Sequence, residues 1–182
     1  FILCDGDVHK DVWQECLAQA VEQSFNRITV DGDTSTNDCV LGLASSKSGV
    51  AVRQENREGF QAVLQDLCQE LAQLIVLDAE GGTKVVSIRV SGARDDAQAD
   101  LAARSVAHSP LVKTALFGCD PNWGRIVAAL GRSGAEFETG EVTVSIGGRP
   151  IFVHGNPVPD NIDDLFAPLL KRQQVDLSIA LG

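Results

Sequence analysis

Phe60, Val63, Leu64, Leu67, Leu71, Leu74 and Ile75 recur at the three-and-four spacing of one helix face. The pattern predicts a long helix over roughly Gln54–Leu77, and a stripe of that length has to be covered by another layer of protein. Directly behind it the period changes. Val86, Ile88 and Val90 alternate with polar partners, which predicts a half-buried strand over Lys84–Gly92. A helical run feeding a strand restricts the chain to folds in which helices pack on a sheet.

The flanking segments repeat the theme. Val12, Trp13, Cys16, Leu17, Ala20, Val21 and Phe25 predict an amphipathic helix from about Val8 to Phe25. Ile28–Val30 is a short strand candidate that ends in the polar run Asp31–Asp38. Cys39–Ala44 is too short to separate a buried strand from the start of a helix. Asp95 or Asp96 can cap a helix running to about His108. Leu111–Phe117 reads as a strand, and Asp120-Pro121 as the cap and first-turn proline of a helix reaching Leu130. Val142, Val144 and Ile146 alternate, Gly147-Gly148-Arg149 turns, and Ile151–Val153 returns as a β-hairpin. Ile162–Leu170 reads as a helix and Val175–Leu181 as a final strand. Hairpins mixed with crossovers give an α/β (α+β) class, a layered mixed sheet with packed helices. The 182 residues are expected to form a single unit, with any boundary between two subdomains in the 92–110 region.

Composition excludes several classes. The 25 acidic and 15 basic side chains leave a net charge of −10, which disfavours nucleic acid and anionic membranes as partners. There is no apolar run of about 18 residues that would span a bilayer. Five cysteines without a C-x-x-C pair, and three scattered histidines, give neither a disulfide scaffold nor a zinc signature. Cys16 and Cys68 fall on apolar stripes, where a buried thiol acts as a small hydrophobe. Without a signal peptide or glycosylation acceptor in these residues, a reducing, cytoplasmic compartment is expected. Phe1 in place of an initiating Met reads as the start of a processed or truncated piece.

Three segments could carry chemistry. Asp31, Asp33, Ser35 and Asn37 imitate the start of a calcium loop, but Thr36 and Gly42 stand where that loop needs Gly and Glu, so no metal is expected. The alternatives are a polar turn bonding its own backbone or the lining of a site. Glu80 follows the long helix, at the end whose dipole disfavours a carboxylate, so it is either an exposed loop acid or a binder of a cationic group. Around Phe117–Arg125 a helix N-terminus could dock an anion, although Asp120 could fill that place as a cap and Trp123 could be core. Cys119 is a candidate nucleophile with no sequence-adjacent base.

Four segments also carry a resemblance. Ser24–Asp38 reads S-F-N-R-I-T-V-D-G-D-T-S-T-N-D, Asp78–Lys84 reads D-A-E-G-G-T-K, Ser109–Ala115 reads S-P-L-V-K-T-A and Asp120–Arg125 reads D-P-N-W-G-R. In this order they resemble the ornithine acetyltransferases, the glutamate N-acetyltransferases of the cyclic arginine pathway. The resemblance implies a DmpA/ornithine acetyltransferase-like self-cleaving fold, with this chain most of the β subunit. It implies cleavage before a threonine, which then moves acetyl from N2-acetylornithine to glutamate through an acetyl-threonine. That threonine is expected just before Phe1, so no catalytic residue lies in these 182 residues. A family tail with further substrate contacts is expected beyond Gly182.

Glu80 matches the family's substrate-binding glutamate. The oxyanion-hole donors and a substrate lysine belong to the family's α subunit, and the resemblance gives Lys113, Asn122 and Arg125 no chemical step. The implied partners are an α subunit from the same precursor in an α2β2 heterotetramer, with acetylornithine and glutamate as substrates. No cofactor is implied, and acetyl-CoA as a co-substrate is left open. The competing readings are an N-terminal-nucleophile amidohydrolase or aminopeptidase and a non-catalytic binding module.

Overall fold

A computed structural model describes residues 1–158 and 162–182. The chain divides into two compact units, Phe1–Glu80 and Gly81–Gly182.

The first unit opens with β1 (Ile2–Cys4) and β2 (Asp7–Val8), followed by α1 (Lys10–Glu22). After a 3-10 turn at Phe25–Arg27 come β3 (Gly42–Ala44), β4 (Ala51–Val52), a second 3-10 turn at Gln54–Asn56 and α2 (Arg57–Leu77). The long helix therefore lies where the apolar stripe places it, with its first turn tightened. β1 pairs with β3 and β2 with β4, both parallel, and α1 packs on α2. The core gathers Ile2, Val12, Cys16, Ala20, Leu64 and Cys68. Both cysteines are buried as small hydrophobes, and desolvation pushes their thiol pKa values up. Ile28–Val30 is not a strand. Ile28 has extended backbone, but the segment pairs with no strand among the described residues.

The second unit runs β5 (Val85–Ser91), α3 (Asp96–Ala107), α4 (Pro110–Phe117), α5 (Trp123–Gly131), β6 (Thr143–Ile146), β7 (Arg149–Val153), β8 (Asn156–Pro157), α6 (Ile162–Leu170) and β9 (Gln174–Ala180). Its five strands form one mixed sheet in the order β5-β9-β6-β7-β8, with β5 parallel to β9 and the other pairs antiparallel. Val144, Ile146, Val175, Leu177 and Ile179 point from the sheet into a core closed by Val106 of α3, Leu116 of α4, Leu130 of α5 and Phe166 of α6. On the opposite face Ser87, Arg89, Ser91 and Asp176 are exposed, the one-sided pattern of a sheet covered by a single helical layer. Gly147 and Gly148 both have positive φ, as a two-residue hairpin turn between β6 and β7 requires.

Three expectations change in this unit. Leu111–Phe117 is helical rather than extended, because the Ser109 hydroxyl accepts from the Val112 amide and Pro110 occupies the first turn. The cap of α5 is Asn122, not Asp120. The region 92–110 lies inside the unit, since β5 is zipped to β9 along its whole length and α3 packs on β5. The units divide at Glu80–Gly81 instead.

Candidate functional site

The chain leaves α2 through a tight, ordered turn. The Asp78 amide donates to the Leu74 carbonyl at 3.0 Å and the Ala79 amide to that of Val76 at 3.3 Å, so two of the helix's terminal carbonyls are satisfied. Gly81 then takes a φ of +69°, a conformation that favours glycine. Between these fixed points stands Glu80, exposed, with no hydrogen bond or ion pair among the described residues. A carboxylate held at the negative pole of a helix with no internal cation offers an open acceptor for a positively charged group.

The S-P-L-V-K-T-A and D-P-N-W-G-R segments meet at the corner between α4 and α5. The Asn122 side chain accepts from the Arg125 amide at 3.2 Å and donates to the Asp120 carboxylate at 3.1 Å. Arg125 reaches across to α4, donating to the Leu111 carbonyl at 2.9 Å and to the Thr114 hydroxyl at 3.0 Å. Trp123 stacks on Phe152 of β7 with ring centroids 4.9 Å apart. The α5 N-terminus is thus filled by its own asparagine, and Trp123 belongs to the core rim. Asn122 and Arg125, which sequence alone left without a role, hold the corner. Lys113 sits half-buried in α4, its amide donating to the Ser109 carbonyl.

Cys119 has a φ of 55°, and its thiol donates to the Leu170 carbonyl at 3.3 Å. That bond points the sulfur at backbone, and no histidine base is paired with it among the described residues.

The Asp31–Asp38 run bonds its own backbone. The Asp33 amide donates to the Asp31 carboxylate at 2.9 Å, and the amides of Asn37 and Asp38 to the Ser35 hydroxyl. These are the short polar turns that such a composition makes. Among the described residues no group of three or more His, Cys, Asp or Glu could hold a metal ion.

A concavity that sequence reasoning missed lies within the first unit. About 630 Å³ opens between β1–β3 and α2, lined mainly by apolar side chains including Leu3, Leu43, Val63 and Leu67. The signal was present in those side chains, but their grouping depends on the pairing of β1 with the distant β3.

Known proteins resemble this chain in sequence and in fold. The sequence profile of the ArgJ family matches residues 1–182. The arginine biosynthesis bifunctional protein ArgJ of Nitratidesulfovibrio vulgaris is 49% identical over 181 residues, spanning 100% of this chain and 46% of the relative. The protein of the same name from a Synechococcus species is 47% identical, over 87% of this chain and 39% of its own length. A chloroplastic namesake from Oryza sativa is also 47% identical, over 85% and 34%. The crystal structure of the Bacillus halodurans ArgJ superposes with a TM-score of 0.94 at 36% identity, covering 100% of this chain and 86% of that one. The chain therefore spans less than half the length of these curated relatives, yet most of the crystallised chain.

Proposed function

This chain belongs to the ArgJ family, and on that footing we propose that it works as most of the β subunit of an ornithine acetyltransferase. The observation that carries the reading is the match of the family profile to all 182 residues. The difference in coverage supports a protein of two chains: the crystallised chain is about half as long as the curated relatives. The partner is then an α subunit cut from the same precursor, assembled as α2β2.

The reaction runs through a threonine at the start of the complete β subunit, outside these 182 residues. Its hydroxyl oxygen attacks the acetyl carbonyl of N2-acetylornithine while its own amino group takes the proton. The amide bond breaks, ornithine leaves with that proton on its amine, and an acetyl-threonine remains. The amine of glutamate attacks the ester, forming N-acetylglutamate and restoring the hydroxyl. Donors of an oxyanion hole, which we assign to the α subunit, are commonly worth ~10²–10³ in rate each.

Glu80 contributes charge. Ornithine carries an amine that the acetyl group does not mask, and the open Glu80 carboxylate is a suitable acceptor for it. No resident cofactor is needed. The relatives are named bifunctional, which supports a second reaction with acetyl-CoA as the donor. Among the described residues no helix is long and apolar enough to cross a membrane. The net charge of −10 disfavours nucleic acid and anionic membranes as partners, and the five free cysteines suit the reducing, cytoplasmic compartment that we propose. The amidohydrolase and binding-module readings have no support in the family match.

The test is acetyl exchange in the complete protein. Labelled acetylornithine should pass its acetyl to glutamate with release of ornithine. Release of acetate at the same rate with and without glutamate would identify a hydrolase instead.

A further inference from the structure

We propose that the groove between β1–β3 and α2 is the seat of an apolar segment from the part of the same protein outside these 182 residues, an inference that rests on the two-chain reading above. Leu3 and Leu43 are register partners, so their side chains stand together on one face of the β1–β3 pair. They are 75% and 57% exposed, and Val63 of α2, across the same groove, is 69% exposed. Isolated exposed leucines are ordinary, but large apolar residues lining one concavity mark an interaction surface.

Both walls of the groove are built as inner layers. α2 buries Leu64, Cys68 and Ala72 in the core of its own unit, while Val63, Leu67 and Leu74 form a second stripe that remains exposed. A helix apolar on two flanks belongs between two layers. The β1–β3 ladder is parallel and only two strands wide. Parallel ladders occur with both faces covered, and two strands alone are marginal in water.

The occupant follows from length and charge. Since the chain spans 46% of a relative's length, more than a comparable length of polypeptide belongs to the same protein. A second copy would instead bring another net charge of −10 against the first. The segment that fits carries large aliphatic or aromatic side chains, because only Asp5 among the lining residues bears a charge.

Thiol accessibility in the complete protein tests this. Val63→Cys and Leu43→Cys, each on a Cys39→Ser background, replace exposed side chains and spare the core. Maleimide labelling is followed by mass spectrometry on the peptide containing the substituted position. The expected result is that both positions label more than about tenfold slower in the native protein than after unfolding, at every protein concentration. Less than tenfold protection would overturn the proposal, as would protection that disappears on dilution, which would make the occupant a second copy. A denaturing gel of the same sample shows whether the protein is one chain or two, so failure of the two-chain reading is seen separately.

Discussion

Gly42 of β3 lies against the indole of Trp13: a β carbon at position 42 would stand 2.6 Å from Cε2 and Nε1 of the ring, and nearer still to Cζ2. The contact seats β3 on α1 and turns Leu43, the next residue, outward into the groove. Gly42→Ala should destabilise the protein by ~1–3 kcal/mol through overpacking. Urea unfolding measures the loss, and a Trp13→Leu background should relieve much of it. Equal costs in both backgrounds would show that the ring is not the obstacle.

The Asn122 cap ties the α4–α5 corner. Asn122→Ala removes the acceptor of the Arg125 amide and should cost about 1 kcal/mol, whereas Asn122→Asp should keep most of it. Thermal unfolding of the two variants separates the cap from the side chain's other bond, to Asp120. If alanine and aspartate were equally harmful, the donated bond to Asp120 would be the one that matters.

Much of this corner is readable in the residues once their caps are noticed. Ile162–Leu170 and the β6–β7 hairpin follow from period and turn chemistry alone. Leu111–Phe117 misleads because its apolar run suits a strand as well as a helix, and the deciding evidence is the Ser109-Pro110 start. β1, β2 and β4 are two or three residues long, too short to show a period, and exist through pairing with distant partners. Glu80 shows the other limit. Local physics marks an acid in an unfavourable place that is open to a cationic group, and only the family motif says which ligand that is.

The Arg53 guanidinium, hydrogen-bonded to Asp7, together with the Ser46 hydroxyl, holds the Asp7 carboxyl below its ordinary value of 3.8. The folded chain therefore binds that proton less readily than the unfolded one. The contribution to stability is present in full above that ordinary value and is lost as the pH falls through the lowered one. Asp7→Asn should flatten the dependence of unfolding on pH in this acidic window and leave its shape near neutrality unchanged. An identical acid limb in both proteins would remove Asp7 from the explanation.

Glu80→Ala should weaken use of acetylornithine at least about tenfold in kcat/KM, the scale of a lost charge-assisted hydrogen bond, with much less effect on self-cleavage. Steady-state kinetics and the rate of chain separation report the two effects independently. An equal fall in both would make Glu80 a structural residue of the turn after α2.

The acetyl-enzyme is the most direct test of the proposed chemistry. Intact mass spectrometry of the complete protein, mixed with N2-acetylornithine and no acceptor, should show one added acetyl group. The adduct should sit on the N-terminal threonine of the chain containing Phe1–Gly182, and it should disappear when glutamate is added, with N-acetylglutamate formed in step. A protein that exchanges acetyl without ever carrying it, or whose adduct is cleared by water as fast as by glutamate, would contradict a transferase working through acetyl-threonine.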